Sequence, residues 1–216
     1  MRVEYYEKVL YPLQDKAISV FKNSPFYLTG GTLLSRVYYG HRYSDDLDYF
    51  LNDNPDFQLL ADRQIERLSK IFNTVKVVMA YERFYRILVC QEKLKIELVN
   101  DVPAHIGELI EDPHFGLIDS KENILTNKIT AVVDRAMPKD IVDMYFLLKD
   151  GVSLKQALID VHSKAAGIPP LYVAKVLGEF DYSLLDTEIK WITPVPSEEI
   201  KSFLTAISES IVKGTL

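Results

Sequence analysis

The sequence predicts an α+β protein: a mixed sheet with flanking helices over residues 1–118, followed by an α-helical half over 119–216. Two observations carry this prediction. Up to residue 118, short apolar runs ending in turn residues alternate with helical periods, and three β-rich runs crowd between residues 74 and 99. Past residue 119, every strong pattern repeats at helical spacing.

Residues 3–22 place Val3, Tyr6, Val9, Leu10, Leu13, Ala17, Val20 and Phe21 at helical spacing, and Asn23-Ser24-Pro25 ends that helix. Phe26-Tyr27-Leu28-Thr29 reads as a buried strand entering a tight turn at Gly30-Gly31, and Leu33, Leu34, Val37 and Tyr38 fit a short helix. A strand over 46–50 stops at 53–55. A helix follows over 56–72, with Phe57, Leu60, Ile65, Leu68 and Phe72 as its inner face. The runs 74–80, 85–90 and 93–99 have short spacers, so the last two are expected to form a hairpin. The later helices are expected at 121–135, 138–149, 153–165, 169–180 and 197–213, broken at Pro169-Pro170 and Pro194-Val195-Pro196. The last opens on Ser197-Glu198-Glu199, an N-cap followed by acidic residues that suit the helix dipole.

The totals narrow the function. At 216 residues, 48% hydrophobic and 26% charged, the chain can bury a substantial core and has ordinary globular composition. A formal charge of -6 gives no general attraction for nucleic-acid phosphate, so a nucleic-acid substrate requires a local basic patch. Cys90 is the single cysteine, which excludes an intramolecular disulfide and a thiolate zinc cluster. Its apolar run Ile87-Leu88-Val89-Cys90 marks it as a buried small hydrophobe. The opening Met1-Arg2-Val3-Glu4-Tyr5-Tyr6-Glu7-Lys8 lacks the apolar core of a signal peptide, and no uncharged apolar stretch approaches the ~18–20 residues of a membrane span. A soluble cytoplasmic protein is expected.

Asp46-Leu47-Asp48-Tyr49 is the most informative stretch. On a strand, residues i and i+2 share a face, so both carboxylates project together, roughly 7 Å apart. A divalent cation such as Mg²⁺ relieves their repulsion. Alone, the pattern is equally that of an acidic loop. Upstream, Gly30-Gly31 lets the backbone approach a ligand, and the helix N-terminus beyond it, with the Thr32 hydroxyl, offers donors to phosphate; a plain turn requiring positive φ gives the same pattern. In Leu94-Lys95-Ile96-Glu97-Leu98 the alternation turns Glu97 to the polar face. If this strand neighbours the Asp46 strand, three carboxylates converge as in sites that hold two metals about 3.5–4 Å apart; otherwise Glu97 is an ordinary surface glutamate. Lys128, Ala131, Val132 and Arg135 follow one helix face, which could meet a triphosphate or be solvated. His41, in the loop Gly40-His41-Arg42-Tyr43-Ser44 that leads into Asp45 and Asp46, could touch a nucleotide or the acceptor, or shape the loop. The four histidines show no zinc spacing, and no Walker A or Gly-x-Ser-x-Gly sequence is present.

The order Gly30-Gly31, short helix, Asp46-Leu47-Asp48-Tyr49 and later acidic strand residue resembles the nucleotidyltransferase superfamily of the DNA polymerase β type. Leu28-Thr29-Gly30-Gly31-Thr32-Leu33-Leu34, with the run from Gly40 through Asp46-Leu47-Asp48-Tyr49-Phe50, is similar to the AbiEii/AbiGii toxin-type nucleotidyltransferases. So is the later pairing of Asn127-Lys128-Ile129-Thr130-Ala131 and Arg135 with Lys139-Asp140-Ile141-Val142-Asp143. Lys139 departs from the family's more frequent arginine, and Glu97 from its more frequent aspartate. The resemblance implies a nucleotidyltransferase-type sheet with Asp46, Asp48 and Glu97 as metal ligands and catalytic carboxylates, Glu97 serving as base. It also implies Gly30, Gly31 and Thr32 around the triphosphate, and Lys128, with Arg135 beside it, at nucleotide phosphate; His41, Arg42, Ser44 and Asp140 are secondary candidates. The implied cofactor is Mg²⁺, with Mn²⁺ as the alternative, and the implied substrate is a nucleoside triphosphate (NTP). Implied partners are an RNA or tRNA acceptor and a cognate antitoxin protein, in a toxin–antitoxin or phage-defence system, with no membrane. Two alternatives stay open: nucleotidylation of a small molecule or protein, and a catalytically silent nucleotide-binding interaction module.

Overall fold

The computed structural model describes residues 2–165 and 167–216. An N-terminal helix runs from Arg2–Tyr5 (α1) through a π turn at Tyr6–Leu10 into Tyr11–Phe21 (α2). Strand β1 (Tyr27–Thr29) leads into α3 (Gly30–Leu33), which continues as a π turn to Tyr39. Then come β2 (Leu47–Asn52), α4 (Phe57–Ile71), β3 (Val75–Tyr81), β4 (Phe84–Val89), β5 (Leu94–Asp101), β6 (Ile110–Asp112) and β7 (Gly116–Ile118). The remainder is helical: α5 (Lys121–Arg135), α6 (Pro138–Lys149), α7 (Leu154–Asp160), α8 (Pro170–Glu179), α9 (Leu184–Glu188) and α10 (Ser197–Lys213).

The chain divides into two compact units, Met1–Tyr38 with Tyr43–Asp119, and Tyr39–Arg42 with Ser120–Leu216. The first holds a seven-stranded mixed sheet ordered β3-β4-β5-β2-β1-β7-β6. β2 pairs in parallel with β5 and antiparallel with β1, and β3, β4 and β5 form an antiparallel meander. Residues of β2, β4 and β5 alternate between buried and half-buried, because one face carries the core and the other does not. Leu47, Tyr49, Tyr85, Ile87, Ile96 and Leu98 point into that core. There Phe21 of α2 stacks on Tyr49 at 3.9 Å, and Phe57 of α4 meets Tyr85 edge-on at 5.8 Å.

The second unit gathers its core from Ile124, Leu125, Ile129 and Val132 of α5, Ile141, Val142 and Met144 of α6, and the inner faces of α7, α8 and α10. No helix among the described residues is long and apolar enough to cross a membrane.

The β4–β5 hairpin forms as expected, but Cys90 is not a buried hydrophobe. It sits past the end of β4 with φ 53°, half-buried, and Gln91 and Glu92 follow with φ 57° and 66°. The apolar run ends where the hairpin must turn. β6, β7 and α9 went unseen in the sequence because three to five residues are too short for a period to register.

Candidate active site

In β2, burying Leu47 and Tyr49 turns Asp48 to the half-buried face; in β5, burying Ile96 and Leu98 does the same for Lys95 and Glu97. The parallel register sets Asp48 directly beside Glu97, so the two carboxylates are neighbours on one face. Asp46 lies just ahead of β2. Lys95 Nζ is 2.9 Å from Asp46 Oδ2 and 3.1 Å from Glu97 Oε1, and so ties the third carboxylate to this strand pair. Across the antiparallel β4–β5 pair, Arg86 sets Nε and Nη2 each 2.7 Å from Glu97 Oε1. Burial alone would lower the Lys95 pKa. The carboxylates of Asp46 and Glu97 outweigh it, and the net shift is upward, so the ammonium stays charged.

The turn after β1 depends on Gly30. Its φ is 72°, and a Cβ there would stand 2.6 Å from Asp48 Oδ2, so the turn backbone and the Asp48 carboxylate lie against each other. Gly31 continues into α3. Thr32 is fully buried, and its hydroxyl donates to the Asp46 carbonyl, turned onto the carboxylate loop and away from solvent.

The rest of that loop is held from the N-terminal helix. Gln14 Nε2 donates to the carbonyls of Ser44 at 3.1 Å and Asp45 at 3.3 Å, and the Tyr6 hydroxyl donates to the Asp45 carboxylate. Gln14 is fully buried, and Arg36 Nη1 donates to its Oε1 at 3.3 Å. Sequence reasoning passed over Gln14. The available signal was a polar residue standing four positions after Leu10 in an otherwise apolar stripe.

The second unit contains a buried charge network. Asp143 accepts from Arg42 Nε at 2.8 Å and Nη2 at 2.7 Å, faces His41 Nε2 at 2.8 Å, and lies 2.6 Å from Lys128 Nζ. Asp140 accepts from Lys128 Nζ at 2.8 Å and Arg135 Nε at 2.9 Å. His41, Asp140 and Asp143 are fully buried; Arg135 is about half exposed, at 48%. Burial would raise the Asp143 pKa, but Arg42 and Lys128 outweigh burial and hold it well below the carboxylate range; Asp140 shifts the same way under Lys128 and Arg135. Burial dominates at His41 and lowers its pKa. A neutral ring donating from Nε2 to Asp143 leaves Nδ1 bare, and Nδ1 is indeed buried without a hydrogen-bond partner.

His41 also accepts from the backbone N–H groups of Ile192 at 3.0 Å and Thr193 at 3.2 Å. These contacts tie His41 and Arg42 to Asp143 of α6 and the His41 carbonyl to Ile192 and Thr193. Lys128 is engaged in an internal ion-pair network, and Asp143 joins the candidate set. Its signal was its place three residues after Asp140, on the same helix face.

Among the described residues, no three His, Cys, Asp or Glu side chains stand together as a ready metal-ligating group. Asp46, Asp48 and Glu97 nevertheless fit a hard divalent cation. Their donors are all carboxylate oxygens, Asp48 and Glu97 share a face, and a cation of the chain itself, the Lys95 ammonium, already bridges Asp46 and Glu97.

The profile described as nucleotidyl transferase AbiEii toxin, type IV toxin–antitoxin system, matches residues 13–213. An uncharacterized protein of Aquifex aeolicus is 30% identical over 178 residues, which is 77% of this chain and 79% of that one. Among solved structures, MenT4, a nucleotidyltransferase toxin of Mycobacterium tuberculosis, aligns with a TM-score of 0.66 at 16% identity, over 94% of this chain and 83% of that chain. JHP933 of Helicobacter pylori aligns with a TM-score of 0.63 at 20% identity, over 95% and 91%. At such identities the two structures establish a shared fold. The family profile reaches further, across both units, and by it the chain belongs to the AbiEii family of nucleotidyltransferase toxins.

Proposed function

We propose that the protein moves a nucleoside monophosphate from an NTP to an acceptor hydroxyl on RNA of the tRNA kind, and that the reaction depends on a divalent cation. The observation that carries this is the register setting Asp48 beside Glu97, with Asp46 tied to the same strand pair through Lys95. In the proposed reaction the acceptor oxygen bonds to the α-phosphorus, the bond from the α-phosphorus to the bridging oxygen breaks, and pyrophosphate leaves. Glu97 takes the hydroxyl proton. Mg²⁺, or Mn²⁺ in its place, would be held by Asp46, Asp48 and Glu97, and would supply positive charge at the reacting phosphate when bound. Gly30 and Gly31 give the triphosphate a close approach to backbone N–H groups. In the helical unit Lys128 pairs with Asp140 and Asp143, and the half-exposed Arg135 pairs with Asp140. Positioning and charge neutralisation supply the rate.

Family membership supports the transferase chemistry, the toxin role and a cognate antitoxin protein as partner. The RNA acceptor, and a place in phage defence, are proposed from the family resemblance. The test is incubation of the purified protein with Mg²⁺, each α-labelled NTP, and total cellular RNA or protein extract, beside Asp48→Asn. Label on RNA that vanishes in the variant is expected. Label on protein would move the acceptor to a protein hydroxyl, and no labelling with any NTP would end the transferase reading.

A further inference from the structure

We propose that Lys95 is an exchangeable counter-ion of the carboxylate site, bridging Asp46 and Glu97 until an incoming divalent cation displaces its ammonium. The proposal rests on the reading of Asp46, Asp48 and Glu97 as the residues that take the cation. Lys95 lies two residues before Glu97 on the same face of β5, with its Nζ 2.9 Å from Asp46 and 3.1 Å from Glu97. Lys95 therefore already places a positive charge between two of the three carboxylates that would take the cation.

The two basic residues of the cluster differ in how readily they can leave. Arg86 grips Glu97 from the neighbouring strand through two nitrogens at 2.7 Å, a planar fork fixed by its geometry. Lys95 is a point charge on a flexible four-carbon stem, about a third exposed at 31%, and can swing out at little cost to the fold. Charge balance points the same way. Three carboxylates against Arg86 and Lys95 leave the cluster with a single net negative charge, a weak attraction for a dication. With Lys95 withdrawn and a dication admitted, the cluster is neutral. The released ammonium then becomes available to a polyanion such as a triphosphate, so Lys95 couples metal entry to nucleotide entry.

The experiment is Mn²⁺ binding to the full chain without nucleotide, read by electron paramagnetic resonance, in wild type, Lys95→Gln, Lys95→Arg, Asp48→Asn and the Lys95→Gln/Asp48→Asn double variant. Lys95→Gln should bind Mn²⁺ at least about tenfold more tightly than wild type, because a unit positive charge a few ångströms from the ion is gone. Lys95→Arg should stay within about threefold of wild type, and Asp48→Asn should lose binding in either background. Two results overturn the role of Lys95 and leave the carboxylate site standing: Lys95→Gln no tighter than wild type while Asp48→Asn abolishes binding, or Lys95→Arg as tight as Lys95→Gln. Absence of Mn²⁺ binding in both wild type and Lys95→Gln would overturn the carboxylate reading itself, and this proposal with it.

Discussion

Asp48 and Glu97 stand side by side across the parallel pair of β2 and β5, each turned to the half-buried face by core residues on either side of it. Neither carboxylate is placed by a loop. A sheet in register sets their separation, and rigid elements hold reactive groups more accurately than loops do.

Asp48→Asn keeps the volume of the side chain and removes its charge. Transfer of labelled nucleotide should fall by about three orders of magnitude or more, since the proposed cation site loses a charged oxygen. Thermal unfolding should stay close to wild type, because Asp48 is not part of the core. Activity within tenfold of wild type would remove Asp48 from the machinery.

Gly30→Ala meets two penalties at once. A φ of 72° disfavours a side chain by about 1–2 kcal/mol, and the new methyl would stand 2.6 Å from Asp48 Oδ2, so the carboxylate must move. Activity should fall much further than stability. Gly116→Ala is the control: its φ is 78° and its Cβ would meet the Lys22 backbone at 2.8 Å, so it should lose stability without touching Asp48. Equal losses of activity in the two variants, at matched stability, would separate Gly30 from the site.

Asp143→Asn leaves Arg42 and Lys128 buried beside a neutral amide. Breaking a buried ion pair by removing one partner costs about 3–5 kcal/mol, and the loss should appear in urea melts of the whole chain. A change under about 1 kcal/mol would show that the network relaxes around the amide.

Acidification should destabilise the protein in two stages. The folded chain holds His41 neutral, with a pKa below the ordinary 6.5. The unfolded chain binds a proton there first, so stability is full above about pH 6.5 and declines below it. Asp143 and Asp140 are depressed in the folded state. Their contribution is present above the unfolded value near pH 4 and is lost as pH falls through their folded values. Urea midpoints measured from pH 8 to 3 should show both declines, and His41→Asn should remove the first alone. A midpoint flat between pH 7 and 5 would contradict a neutral buried His41.

The sequence by itself determined what is periodic and local. Alternation in β2, β4 and β5, helical spacing in α2, α4, α5, α6, α8 and α10, and the side of the strand on which Asp48 and Glu97 project follow from backbone geometry and the burial of apolar neighbours. Only the tertiary structure decided which strands meet. The parallel pairing that makes neighbours of Asp48 and Glu97, the Lys95 bridge to Asp46, and the insertion of Gln14 beneath the loop require segments distant in sequence to pack in one arrangement among many with the same local pattern. The same holds for His41 and Asp143, 102 positions apart yet joined in one buried network. Burial is what makes such pairing specific. An ionised carboxylate enters a core only when partners neutralise it, and which partners arrive is settled by packing between elements that no local period records.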